Sequence, residues 1–272
     1  MSRTVFFISD STGITAETLG NALLAQFDDI ECQKVTLPFV SDEGLAKAAI
    51  RRIDALAVES GQRPVVFSTL SNSSLHDIVC QSRALVLDLF SVFLVPLEQE
   101  FKQGSSHATG RFHGLINRAN YELRIEAMDF ALSHDDGASV RHYDRADLIL
   151  VGVSRSGKTP TSIYLSMQFG IRTANYPLTS DDLERESLPE VLLQHRERLY
   201  GLTIDAQRLR QIRQTRRPDS RYASLAQCRK EVGEVEAMFR SRRIPFIDTS
   251  HASIEEIASR VLLDTGLRRR FL

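Results

Sequence analysis

Leu148-Ile149-Leu150-Val151-Gly152-Val153-Ser154-Arg155-Ser156-Gly157-Lys158-Thr159 is the stretch that decides the fold. Four apolar residues run directly into Gly-x-x-x-x-Gly-Lys-Thr, the complete P-loop pattern. A strand buried on both faces reads as a short unbroken apolar run, and Leu148 to Val151 has that form. Gly152 and Gly157 remove a Cβ where the backbone has to turn tightly. The loop N–H groups then converge on a phosphate, and the following helix adds its positive end. On this pattern Gly152, Val153, Ser154, Arg155, Ser156, Gly157, Lys158 and Thr159 form the nucleotide-binding loop. Lys158 reaches the terminal phosphates and the Thr159 hydroxyl ligates Mg²⁺. Pro160 falls in the first helical turn, where its missing N–H costs nothing. A chance match in a chain of this length has a probability on the order of one in a hundred.

The surrounding composition is that of an ordinary globular chain. The 272 residues allow one large domain or two of moderate size. A formal net charge of -1 gives no general drive toward nucleic acid or an anionic membrane. No apolar run approaches a membrane span. Met1 to Asp10 has only a short apolar core and reads as a first strand, not a signal peptide. Cys32, Cys80 and Cys228 are odd in number and widely spaced, which suggests neither a disulfide framework nor a zinc site. The expectation is three reduced thiols in a cytoplasmic protein.

Strand-like and helix-like segments alternate on both sides of the P-loop, which implies parallel strands and right-handed crossovers. In the first half, Val5 to Ser9, Val35 to Val40, Val65 to Phe67 and Ala84 to Phe90 read as strands. A helix with Leu19, Ala22, Leu23 and Phe27 on one face follows the first of them. Ser41-Asp42-Glu43-Gly44 is an N-cap signal for another, with Leu45, Ala48, Ala49, Ile53 and Leu56, and Gly61 stops it. Residues 102 to 111 are small and polar, a linker or mobile loop. A long helix, Leu115 to Leu132, ends at Ser133-His134-Asp135-Asp136-Gly137. Beyond the P-loop, Ile171 to Tyr176, Tyr200 to Ile204 and Ile244 to Asp248 read as strands. Leu188 to Leu199 and the segment from Ser253 through Leu262 read as helices. The expected fold class is α/β: an open parallel α/β domain over 1–101, a linker and connecting helix over 102–140, and a P-loop kinase-like α/β domain over 141–272.

Phosphoryl transfer needs a carboxylate for Mg²⁺, a group that deprotonates or positions the acceptor, and cations for the developing charge. Asp135 and Asp136 sit together on a tight turn before the P-loop strand; a solvated helix end is the alternative reading. Asp248, at a strand end, is the rival carboxylate. Asp88 lies in a strand of the other domain. His134 is a candidate acid–base group, against the commoner role of a histidine that binds the last carbonyls of its helix. Six arginines between Gln207 and Arg221 suggest a phosphate-sensing lid or a solvated face. Arg155 lies in the loop itself. Asp10-Ser11-Thr12-Gly13 follows the first strand, at the edge where open α/β sheets bind ligands.

Several motifs carry a more specific resemblance. Phe6 to Thr18, Ile125 to Phe130 with His134-Asp135-Asp136-Gly137, Gly152 to Ser162, Ala174 to Leu178 and Pro245 to Ser250 are together similar to the phosphoenolpyruvate synthase / pyruvate, phosphate dikinase regulatory protein family. The resemblance covers essentially the whole chain. It implies a bifunctional enzyme that uses ADP to phosphorylate a threonine of its target, releasing AMP and inactivating it. It implies a reverse activity in which inorganic phosphate removes that group as pyrophosphate. Gly152 to Thr159 would bind ADP, Lys158 would stabilise the transferring group, and Asp136 or Asp135 would take the hydroxyl proton. Phosphoenolpyruvate synthase is the expected partner, ahead of the dikinase, and a homodimer is a further expectation. Two other readings of the residues stand beside this one, a small-molecule P-loop kinase and a nucleotide-gated binding module without turnover.

Overall fold

The structure is a computed structural model that describes residues 2–106, 118–137, 139–184 and 188–270. The second half of the polar linker and the expected first turn of the long helix, 107–117, lie outside the described residues. The chain divides into two compact units, Met1–Leu115 and Ile116–Leu272.

The first unit is a four-stranded parallel sheet in the order β2-β1-β3-β4, with β1 Ser2–Ser9, β2 Glu31–Leu37, β3 Val65–Thr69 and β4 Leu85–Asp88. Helices α1 Ile14–Leu24, α2 Glu43–Ser60 and α3 Ser73–Val79 connect them. Asp42 caps α2 through Leu45 N–H, and Gly61 closes it in the left-handed region, both as the sequence predicts. The face of α1 is a correction. Ala16 and Gly20 are its buried residues, while Ala22, Leu23 and Phe27 are exposed. The stacked rings of Phe7 and Phe67 already fill the space beneath the helix, and a Cβ on Gly20 would stand 2.5 Å from Phe7. Ala16 and Gly20 make the closest approach there, and of the expected face only Leu19 packs against that core, partly buried. The fourth strand also ends earlier than its apolar run suggests. Asp88 turns its carboxylate onto the N–H groups of Phe90 and Ser91 and so starts a helix, α4 Ser91–Phe101, that the sequence reading leaves unassigned.

The second unit opens with α5 Arg118–Ser133 and repeats the same strand order, as β6-β5-β7-β8. Its strands are β5 Leu148–Gly152, β6 Thr173–Pro177, β7 Leu199–Thr203 and β8 Phe246–Asp248. Every residue of β5 is buried. Ile149 and Val151 enter one core with Leu209, Val235 and Phe239, and Leu148 and Leu150 enter the other with Leu165, Ile257 and Val261. A strand clad on both faces needs an unbroken apolar run, as expected here. Helix α6 Lys158–Phe169 follows the P-loop. Between Leu188 and Leu199, where a single helix is predicted, there are short helices instead: α7 Ser180–Glu184 precedes the segment, α8 Glu190–Leu193 occupies four residues, and a 3₁₀ turn runs over Arg196–Arg198. Then come α9 Ala206–Arg216, α10 Leu225–Arg242, which the sequence reading leaves unassigned, and α11 Ile254–Thr265 with a Ser253/Glu256 capping box. Strand order reverses between β5 and β7, and the P-loop stands at the carboxyl end of β5 at that switch point.

Candidate active site

The turn from β5 into α6 has little steric freedom. A Cβ on Gly152 would lie 2.2 Å from the Leu202 carbonyl oxygen of β7 and 2.9 Å from Ser156 Oγ. Gly157 holds φ 89 and starts α6. Arg155 holds φ 75, a left-handed conformation that strains a residue with a Cβ by about 1 kcal/mol.

Carbonyl groups of the loop are tied to its surroundings. Gly152 O accepts from Leu178 N–H at 3.0 Å, Ser154 O from the Arg213 guanidinium at 3.2 Å, and Ser156 O from the Thr249 hydroxyl at 3.1 Å. In a trans peptide the C=O and the next N–H point opposite ways. Anchoring these three carbonyls therefore turns the N–H groups of Val153, Arg155 and Gly157 away from the anchors and into the turn, the arrangement that receives an anion.

Lys158 is 3% exposed, and its Nζ donates to Val153 O at 2.9 Å. Burial pushes its pKa down to about 8; Asp136 and then Asp135 pull it back up, and Arg213 and Arg155 lower it further. A buried ammonium with one carbonyl partner is poorly solvated, a cost that an anion placed beside it would relieve.

Asp135 and Asp136 are adjacent but differ in surroundings. Asp135 Oδ1 accepts from the Thr159 hydroxyl at 2.7 Å and also from the Asn175 side-chain amide. Asn175 is fully buried in β6, and its Oδ1 accepts from Asp136 N–H at 2.8 Å. One asparagine thus clamps both ends of the Asp-Asp turn against the P-loop threonine. Asp136 takes φ 48, its side chain is exposed, and its charge acts on Lys158 more strongly than that of Asp135.

His134 is brought to this turn but is fully engaged. Its Nδ1 lies 2.7 Å from Phe130 O and its Nε2 2.7 Å from Arg141 O, with the ring stacked on Phe130. Both ring nitrogens face carbonyls, which fits the commoner role read for it, a histidine on the last carbonyls of its helix, and joins α5 to the approach to β5. Asp248 is likewise taken up locally, by the N–H and hydroxyl of Ser250. Asp10, in the first unit, accepts from Ser71 N–H at 2.7 Å and so ties the ends of β1 and β3.

The oxygen donors at the P-loop suit Mg²⁺, which takes one or two carboxylates plus phosphate and water. Thr159 and Asp135 are the pair that would hold it. Among the described residues no group of three or more His, Cys, Asp or Glu side chains forms a self-sufficient metal site.

The sequence pattern of the kinase/pyrophosphorylase family matches residues 5–262. The chain belongs to this family. Relatives match over essentially their full length. One from Pseudomonas putida (strain W619) is 53% identical over 271 residues, 100% of each chain. One from Marinobacter nauticus is 50% identical over 269 residues, 99% of each. Both carry the name "putative phosphoenolpyruvate synthase regulatory protein". The resemblance drawn from the sequence motifs is thereby shown, and phosphotransfer is the activity class of the family.

Within this kinase/pyrophosphorylase chain, sequence reasoning misses three residues that build the loop's surroundings. Asn175 carries a signal, a polar side chain in a strand core, but only the structure gives it a partner. Thr249 sits in a motif whose contact spans 93 residues of sequence. Arg213 reads as one of six arginines of a lid or a solvated face, yet it is 1% exposed and lies against the loop. No described helix is long and apolar enough to cross a membrane.

Proposed function

We propose that this protein transfers the β-phosphoryl group of ADP to a threonine of phosphoenolpyruvate synthase, inactivating it, and that the same site removes the group with inorganic phosphate. The observation that carries the reading is the division of labour between two neighbouring carboxylates. Asp135 is locked to the P-loop threonine, whereas Asp136 is exposed, and after burial it has the largest influence on Lys158. A loop that binds phosphates and a free carboxylate beside it are the parts that phosphoryl transfer to a hydroxyl requires.

In the forward step the threonine oxygen attacks the β-phosphorus. The bond from that phosphorus to the bridging oxygen breaks, and AMP leaves. Asp136 takes the hydroxyl proton, and the loop N–H groups with Lys158 stabilise the charge on the transferring group. In reverse, an oxygen of inorganic phosphate attacks the phosphothreonine phosphorus. The threonine oxygen leaves and takes a proton by way of Asp136, and pyrophosphate is released. Mg²⁺ bound near Thr159 and Asp135 would supply further neutralisation of phosphate charge.

A two-nucleotide transfer assay tests the reading. The protein is incubated with phosphoenolpyruvate synthase, Mg²⁺ and either ADP or ATP. ADP alone is expected to yield phosphothreonine and AMP, and added phosphate to remove the label as pyrophosphate. Phosphorylation of a metabolite without protein target would instead favour the small-molecule kinase.

A further inference from the structure

Arg213 comes from an arginine-rich helix, but it does not face solvent. Its Nη2 donates to Ser154 O of the P-loop at 3.2 Å and to Glu231 Oε2 of α10 at 2.6 Å. Its Nη1 donates to Tyr222 O at 3.1 Å. The guanidinium carbon lies 4.1 Å from the Tyr222 ring centroid, and the Tyr222 hydroxyl is 3.0 Å from Ser154 Oγ. Glu231 is held in turn by Gln227 Nε2 at 2.8 Å. Two residues, Arg213 and Tyr222, therefore grip Ser154 by its backbone and its side chain. The planar guanidinium fork can meet a carbonyl, a carboxylate and a second carbonyl at fixed angles, which an ammonium cannot.

We infer that Arg213, braced by Glu231 and Tyr222, is a positioning residue for the phosphate-binding loop. The inference rests on the reading of Gly152 to Thr159 as that loop. The carbonyl of Ser154 and the N–H of Arg155 belong to one peptide unit, so a grip on the carbonyl fixes the direction of the N–H. Arg155 is also held in a left-handed conformation, which an isolated loop would leave readily. Arg213 does not touch the transferring group. It sets the loop amide that does, and it joins the loop to α9 and α10 rather than serving as a lid over the nucleotide.

A buried ion pair gives a clean way to separate positioning from mere stability. Replacing both partners by apolar residues is often neutral or stabilising, whereas removing one leaves a buried charge. In R213M/E231M the unfolding midpoint is therefore expected to stay near that of the unchanged protein. Hydrogen exchange of the amides over 153–158 is expected to accelerate about tenfold or more, with the β5 and β7 amides unchanged. ADP binding by calorimetry is expected to weaken about tenfold to a hundredfold. Tyr222→Phe, which removes only the hydroxyl contact to Ser154, keeps the test alive should the double variant fail to fold; loop exchange is expected to rise a few-fold. A stable double variant with unchanged loop exchange overturns the inference. So does unchanged loop exchange in Tyr222→Phe if the double variant does not fold. Exchange needs no ligand, so a protein that binds no ADP counts against the nucleotide reading and leaves the test of Arg213 standing.

Discussion

The Thr159 hydroxyl donates to Asp135 Oδ1 at 2.7 Å, so the last residue of the P-loop pattern and a carboxylate 24 positions earlier form one unit. Asn175 fixes that unit from below by donating to the same carboxylate oxygen. Thr159→Ser keeps the hydroxyl and is expected to retain most activity. Thr159→Val removes it and leaves Asp135 short of a donor. Turnover is expected to fall about a hundredfold, with a raised Mg²⁺ requirement measured by titrating the ion in the transfer assay.

Asp135 and Asp136 are expected to separate in kinetics. Asp136→Asn removes the proton acceptor and is expected to lower kcat by roughly 10²–10⁴ while ADP affinity stays within about threefold. Asp135→Asn is expected to raise the Mg²⁺ concentration needed for half-maximal rate and to raise the apparent KM for ADP. Initial rates with both nucleotide and metal varied distinguish the two. Equal effects of both substitutions on kcat alone would contradict the assignment.

Buried Lys158 makes the protein less stable than its packing allows. An ordinary lysine has a pKa of about 10.4, and here the folded value is about 8. Below pH 8 the ammonium is charged in both states, and its burial costs roughly 3 kcal/mol. Between pH 8 and 10.4 the unfolded chain binds more protons than the folded one, so this residue's contribution to stability rises with pH. Lys158→Met is expected to be inactive yet more stable, by about 2 kcal/mol at pH 7 once the lost hydrogen bond is allowed for. Denaturant unfolding at pH 7 and pH 9.5 checks this. The advantage of the variant is expected to shrink at the higher pH.

The two loop glycines are needed for different reasons. A Cβ on Gly152 meets a backbone oxygen of β7, which cannot move without the sheet. A Cβ on Gly157 meets nothing within 4 Å, and only its φ of 89 is unfavourable. Gly157→Ala is expected to cost about 1 kcal/mol, and Gly152→Ala about 3 kcal/mol or more. Thermal melts of the two variants report the difference.

The parallel α/β architecture was legible because its signals are local. Leu148 to Val151 announces a strand clad on both faces, and Asp42, Gly61 and Ser253 announce helix ends. What was not legible depended on partners far along the chain. The exposed side of α1 follows from two phenylalanines on β1 and β3, which no spacing within the helix reveals. Asp88 ends β4, and no strand pattern reveals that its carboxylate takes the N–H groups of Phe90 and Ser91 where α4 begins. In the site, the loop and the Asp-Asp turn were found from pattern. The separate surroundings of the two aspartates came from Asn175, and the burial of Arg213 came from Glu231 on another helix. His134 lies on the carbonyl of Phe130 in its own helix, the commoner of the two roles read for it, but its second partner, Arg141 O, leaves no mark in the sequence.

On the function proposed above, the P-loop would deliver the β-phosphoryl group of ADP to a threonine on phosphoenolpyruvate synthase. Position-labelled ADP tests it most directly. With ADP labelled at the β-phosphorus, phosphoenolpyruvate synthase and Mg²⁺, label is expected on the target threonine. With ADP labelled at the α-phosphorus, all label is expected to remain in AMP. Absence of label from β-labelled ADP, under conditions where γ-labelled ATP does label the target, would contradict the account.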